Sequence, residues 1–189
     1  MIRDIGRLLQ PLNYLRIRHA RMPLYTFWLP LLMSVIAIVV SRILPTAAQS
    51  IIPRGVVPAV TGLLQILTGF YIAALAAVST FDRPTMDEPM RGTPPTLMVK
   101  RGDLWENQTL SRRRFLSLLF GYLSFVSLFL YIAGSAAPTI EENVKLMAPP
   151  NWIAPLMWIM FSLYLLIFLN LFISTLLGLY YMTDRIHRD

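Results

Sequence analysis

Residues 55–81 read GVVPAVTGLLQILTGFYIAALAAVSTF and contain no charged side chain between Arg54 and Asp82. A helix needs about 20 mostly apolar residues to cross the hydrocarbon core of a bilayer, so this stretch is long enough. A helix also satisfies its own backbone hydrogen bonds in lipid, where no water is present to do so. The stretch therefore predicts a transmembrane helix.

Three other uncharged windows have the same character, and the composition agrees with them. They cover residues 22–41, 115–138 and 153–182. Hydrophobic residues make up 56% of the 189-residue chain and charged residues 14%, against roughly 25% charged in soluble domains. We predict an all-α integral membrane protein, a four-transmembrane-helix bundle over residues 22–183, with a preceding segment 1–21 and a loop 82–114.

The basic residues predict the orientation of the bundle. Of the 17 Lys and Arg residues, 14 lie before the first window, in loop 82–114 or after the last window; the others are Arg42, Arg54 and Lys145. The positive-inside rule then places both termini and this loop in the cytoplasm of a bacterial inner membrane. Topology and anionic lipids account for the net charge of +7, so direct nucleic-acid binding is not expected. The outward connections, 43–53 and 138–151, are short.

The segment before the first window has an amphipathic pattern. Ile2, Ile5, Leu9 and Leu12 recur every three or four residues, with an interruption at Pro11. Such a pattern is typical of a short helix on a membrane surface, and a surface for a soluble partner is the alternative. Arginines beside the windows are candidates for binding lipid phosphates. They are Arg16, Arg18 and Arg21 before the first window, and Arg112, Arg113 and Arg114 before the third.

Loop 82–114 is long for a connection between two spans. Its four prolines discourage regular helix over its first part. Loops of this length without secondary structure are usually functional or disordered. A flexible linker would not need the apolar residues near its middle, which we therefore take as candidates for docking a cytosolic partner, with packing against the mouth of the bundle as the alternative. The docking candidates are Leu97, Met98, Val99, Lys100, Arg101 and Trp105.

Polar and small residues inside the windows suggest helix packing. An amide in hydrocarbon needs a hydrogen-bond partner, and Gln65 and Asn170 each carry one. We favour bonds between helices for both amides; the alternative is a polar ring lining a pore at an oligomer axis. Small residues four apart let helix backbones approach closely. The packing or oligomer candidates are Gly69, Ala73, Ala77, Gly121, Ser174 and Gly178, together with the two amides.

No catalytic, cofactor or metal site is predicted. The windows contain no ionisable side chain, which argues against a proton-coupled transporter or an intramembrane protease. The chain has no Cys, and its two histidines, His19 and His187, both lie outside the windows. We therefore expect a protein that is not an enzyme.

Two stretches resemble a known family. TGFYIAALAAVSTF at residues 68–81 ends the second window, and LSRRRFL at 110–116 precedes LFGYL at 119–123 in the third. With the four-span layout, they resemble the membrane subunit of the bacterial Kiwa anti-phage defence system, over about a third of the chain.

The resemblance implies a non-enzymatic membrane scaffold or sensor. Such a subunit forms a homo-oligomer, with a tetramer favoured, and binds a soluble, nucleic-acid-binding effector on the cytoplasmic face. It carries over no catalytic residue. A small pore-forming effector or channel is the alternative function that the sequence leaves open.

Overall fold

The computed structural model describes residues 8–19, 22–43, 46–80, 84–89, 94–101 and 104–185. Within these residues, four helices are long and apolar enough to cross a membrane. They are the first span, Leu24–Ser41; the second, Gly55–Thr80; the third, Arg112–Met147; and the fourth, Pro150–Thr183. The prediction of an all-α, four-helix membrane protein is confirmed.

The helices run beyond the apolar windows at the end of the bundle where the third span stops. The helix of the second span covers Thr46–Thr80, and that of the third covers Arg112–Met147. At 1.5 Å per residue the third helix is about 54 Å long, well beyond a core of roughly 30 Å. Residues 138–147, predicted as part of a short connection, instead continue this helix through Pro138. Prolines are tolerated in membrane helices because neighbouring groups satisfy the freed carbonyls.

The first and fourth helices include π-helical turns. The first span begins as the π-helix Leu24–Trp28 and continues as the α-helix Leu29–Ile43. The fourth covers Pro150–Tyr180 and ends in the π-helix Tyr181–Arg185.

The third span is the centre of the bundle. Leu119, Leu123 and Leu130 are fully buried along it, and it packs against the second and fourth spans. The first span packs mainly against the fourth. Since lipid is as apolar as leucine, burial between helices gives little hydrophobic driving force here, and close packing and hydrogen bonds hold the spans together.

Hydroxyl groups supply those bonds between spans. Thr68 Oγ1 and Ser127 Oγ lie 3.0 Å apart and join the second span to the third. The hydroxyls of Tyr71 and Thr175 lie 2.6 Å apart and join the second span to the fourth. Many hydroxyls also donate to the carbonyl four residues earlier, as Thr68 does to Leu64, which keeps them satisfied inside the apolar bundle.

Part of loop 82–114 forms a β-hairpin, which was not predicted from the sequence. A short helix, Pro84–Asp87, is followed by strand β1, Thr96–Arg101, and strand β2, Leu104–Thr109. The strands pair antiparallel, with Leu97 opposite Gln108 and Val99 opposite Glu106. We call the end of the bundle that carries this hairpin the hairpin end. Ser111 then begins the third helix, its hydroxyl accepting the Arg114 N–H at 3.3 Å.

The segment before the first span packs into the bundle. Residues 1–7 lie outside the described residues, and the 3₁₀-helix Gln10–Arg16 begins beside Pro11. Proline is well suited to a first helical turn, so Pro11 starts a helix here, where an interruption was predicted. Tyr14 and Ile17 are buried, while Leu9 is exposed. The described part of the predicted surface segment is thus docked on the bundle.

Candidate assembly face and docking platform

One side of the second span is uncovered and is lined mostly by small residues, with the larger Ile66 near its middle. Steps of three and four residues alternate along this side, and every residue on it is exposed. We call it the seam; its residues are Gly55, Ala59, Gly62, Ile66, Gly69, Ala73, Ala76 and Thr80. A Cβ atom added at Gly55, Gly62 or Gly69 would meet no atom within 4 Å. The opposite side of the same helix is buried at Leu64, Tyr71 and Val78.

Gln65 lies beside this seam, near the middle of the span. Its side chain is exposed, and no hydrogen bond joins its amide to another described residue. It is three residues after Gly62 and four before Gly69, so it is adjacent to both on the helix surface. The predicted bond between helices is therefore not made within the described chain. An unpaired amide in hydrocarbon is unfavourable, so a partner from outside the chain would stabilise it.

The other packing candidates lie within the bundle. Asn170 accepts a hydrogen bond from the Tyr122 hydroxyl and donates one to the carbonyl of Thr26, linking three spans. Ser174 is buried, and a Cβ at Gly178 would lie 3.1 Å from Leu119 Cδ2. Ala77 and Gly121 are half-buried. Of the predicted set, only Gln65, Gly69 and Ala73 lie exposed on or beside the seam.

A cluster of aromatic and hydroxyl side chains lies at the hairpin end of the bundle interior. The Tyr14 ring stacks on that of Tyr122 with centroids 4.9 Å apart. Burial raises the pKa of Tyr14 to about 12, an effect that the nearby hydroxyls of Ser174 and Thr26 partly oppose. Neither hydroxyl reaches hydrogen-bond geometry with the Tyr14 oxygen, which is buried, as is Thr26 Oγ1. This cluster was not predicted from the sequence.

The docking candidates separate into buried and exposed positions along β1. Leu97 is 5% exposed and belongs to the core. This residue therefore packs against the bundle, which was the alternative to partner docking. Val99 is half-buried against the same core, whereas Met98 between them is 37% exposed. This alternation is what a strand with one face on the bundle produces. The side chains of Lys100, Arg101 and Trp105 lie outside the described residues.

The predicted phosphate-binding arginines are partly used within the chain. Arg113 makes a bidentate ion pair with Asp87, with Nε to Oδ1 at 2.8 Å and Nη2 to Oδ2 at 3.0 Å. Arg114 Nη1 donates to Gln108 Oε1 at 2.7 Å. These two arginines brace the short helix and the hairpin against the third span. They are therefore less available to bind lipid phosphates than the sequence predicts. Arg16 and Arg18 are exposed and Arg112 is half-buried, while Arg21 lies outside the described residues.

The Asp87–Arg113 pair predicts a pH effect at the hairpin end. Hydrogen bonds from Arg113, and then its charge, lower the pKa of Asp87. A lowered folded-state pKa means that the pair stabilises the fold above the ordinary Asp range and that this contribution is lost as pH falls through the lowered pKa. We expect hydrogen exchange in residues 84–89, corrected for intrinsic rates, to become modestly faster on acidification. Asp87→Asn should remove this step, whereas Glu141→Gln, which breaks the Lys145 pair at the opposite end, should preserve it.

The described residues contain no cluster of three or more His, Cys, Asp or Glu side chains that could hold a metal ion. Compared with known proteins, the chain matches no family model, no curated sequence and no solved structure. The resemblance to the Kiwa membrane subunit therefore stays a prediction.

Proposed function

We propose that this protein is a non-enzymatic scaffold of the bacterial inner membrane, which assembles with copies of itself and presents its hairpin end to a cytosolic effector. The observation that carries the proposal is the uncovered seam of the second span with Gln65 beside it. A part in anti-phage defence, with a nucleic-acid-binding effector, belongs to the proposal through the sequence resemblance alone.

The chemistry of the seam favours a second copy of the chain as its partner. Small residues let helix backbones approach closely, and close contact replaces the hydrophobic driving force that lipid does not provide. Steps of three and four residues average 3.5, the period of helices that wrap around each other with a left-handed crossing. In a symmetric ring the second spans run parallel, so each Gln65 lies at the same depth as its neighbour's. Each amide then gains the hydrogen-bond partner that it lacks among the described residues of one chain. The resemblance favours a tetramer.

The charge distribution supports placing the hairpin end in the cytoplasm. Most Lys and Arg residues lie before the first window, in loop 82–114 or after the last window. Loop 82–114 carries the hairpin, and the positive-inside rule places these basic segments in the cytoplasm. Arg16 and Arg18 are exposed there and suit contact with anionic lipid headgroups.

The folded hairpin supports docking of a protein at the same end. Its inner face is held by Leu97 and Val99, and its connections are braced by the Asp87–Arg113 pair. A rigid platform loses less conformational freedom on binding than a flexible loop would. Met98, on the outer face, is the described apolar side chain that we assign to effector contact.

Affinity purification in mild detergent, followed by native mass spectrometry, tests the scaffold. The wild-type protein should appear as a homo-oligomer with a soluble protein at fixed stoichiometry. Met98→Glu should lose that protein but keep the oligomer, and Thr85→Glu, also exposed at the hairpin end, should keep both. Equal binding by Met98→Glu and wild type would remove Met98 from the docking surface, and a monomeric wild type would contradict the assembly.

A pore is the second candidate, and the exposed Gln65 favours it. If four amides met at a central axis, they would form a narrow polar ring in an otherwise apolar channel. Asn170 is not available for such a ring, because its amide is bonded inside the bundle. Ion flux through liposomes containing the oligomer, abolished by Gln65→Leu, would support the pore. Tight liposomes containing an assembled oligomer would favour the scaffold.

A further inference from the structure

Residues 10–18 lie across the hairpin end of the bundle as a strap, formed by the 3₁₀-helix Gln10–Arg16 with Ile17 and Arg18. Tyr14 is 1% exposed at this end. It stacks on Tyr122 and lies 6.4 Å, centroid to centroid, from Phe115 of the third span. Ser174 of the fourth span and Thr26 of the first lie near its hydroxyl. Tyr14 thus packs on the third span, beside the point where the Phe115 ring of that span meets Tyr181 of the fourth.

The far end of the strap is joined to the hairpin through backbone groups. The Arg18 N–H donates to the Thr96 carbonyl at 2.8 Å, and the Thr96 N–H donates to the Arg18 carbonyl at 3.1 Å. Arg18 therefore adds one bridge to the outer edge of β1. The strap connects the interior of the bundle directly to the hairpin.

The docked strap leaves polar groups unsatisfied. Tyr14 Oη and Thr26 Oγ1 are buried, and neither has a hydrogen-bond partner in the part of the chain that the structure describes. Thr26 also lies in the π-helix Leu24–Trp28, a helical form that is frequent at functional sites. A buried hydroxyl without a partner opposes docking, and the penalty disappears when water reaches it. Aromatic packing therefore holds the strap in place against the cost of these unpaired oxygens.

We propose that the strap is a releasable clasp, which couples the packing of the third and fourth spans to the hairpin. When these spans separate at the hairpin end, the Tyr14 ring loses its packing site. The strap then dissociates from the bundle, and the Arg18–Thr96 bridge opens. A change in the packing of the membrane-embedded helices thereby alters the edge of the hairpin, and no ligand needs to bind at that end. The clasp goes beyond the scaffold function and does not require an effector to be present.

Hydrogen exchange of the full-length protein in lipid nanodiscs tests the clasp. The Arg18 and Thr96 amides, each bonded across the bridge, should exchange at rates set by strap release. Tyr14→Phe keeps the ring and removes the unpaired hydroxyl, so we expect exchange of both amides to slow about tenfold. Tyr14→Ala removes the packed ring and should accelerate exchange of both amides. Tyr180→Phe alters a half-exposed ring and should leave the exchange rates of both amides unchanged.

Two results would overturn the clasp. If exchange in Tyr14→Phe is as fast as in the wild type or faster, the unpaired hydroxyl does not limit docking. If Tyr14→Ala accelerates exchange at Arg18 while Thr96 stays protected, the strap and the hairpin are not coupled. Tyr14→Phe preserves the size and packing of the ring, so its result stands even where Tyr14→Ala fails to insert.

Discussion

Gly134→Ala should destabilise the bundle by about 1–3 kcal/mol, the usual cost of overpacking a core. Gly134 is buried at the point where the second, third and fourth spans meet. A Cβ there would overlap Thr61 Oγ1 and lie 2.8 Å from the Tyr164 hydroxyl oxygen. Thr61 cannot easily turn away, because its hydroxyl donates to the Val57 carbonyl at 2.7 Å. The added methyl must push helices apart.

The same helix provides a matched control at Gly121. A Cβ at Gly121 meets no atom within 4 Å, so Gly121→Ala should gain up to about 1 kcal/mol from the better helix propensity of alanine. Reversible unfolding in mixed micelles, followed by circular dichroism, compares both variants with the wild type. Equal effects of the two substitutions would mean that the close contact at Gly134 does not contribute to stability.

The four spans were predictable because lipid imposes a simple requirement on sequence. A spanning helix needs a long uncharged stretch, and residues 55–81 supply one unambiguously. The hairpin was not predicted, because the prolines of loop 82–114 indicate irregular structure. Its signal was nevertheless present: two six-residue strands flank Gly102-Asp103, a dipeptide typical of tight hairpin turns. The Asp87–Arg113 pair could not be predicted, because it depends on how the loop folds back.

The two amides show why the site was harder to predict than the fold. Gln65 and Asn170 carry the same chemical group in similar apolar surroundings, yet one is exposed and the other bonds two neighbours. Their difference comes from the rotation of each helix within the bundle, which no local pattern specifies. Tyr14 is a similar case, since its burial depends on where the strap crosses the third span.

The seam could have been traced further from the sequence. The predicted ladder Gly69, Ala73 and Ala77 uses steps of four residues only, and each such step turns about 40° past a full rotation. Ala77 therefore moves towards the bundle and is half-buried. Alternating steps of three and four residues keep the direction nearly constant, which extends the seam from Gly55 to Thr80.

Gly69→Leu should dissociate the proposed assembly while leaving the single subunit folded. In the subunit a Cβ atom at this position meets no atom within 4 Å. In the assembly a leucine would hold two backbones apart, and symmetry repeats the clash at every interface. At about 1–3 kcal/mol for each overpacked contact, we expect the dissociation constant to rise roughly 10- to 100-fold.

Because the chain contains no cysteine, a single Gly62→Cys substitution reports this contact directly. Oxidation in membranes should cross-link Gly62→Cys efficiently, and adding Gly69→Leu should largely abolish the product. Ala37→Leu, at a site on the first span that is also exposed, controls for a larger side chain facing lipid and should leave the cross-link intact. If cross-linking persists with Gly69→Leu, the second spans do not meet through the seam. If Ala37→Leu removes it as well, the first span contributes to the interface and the assembly must be arranged differently.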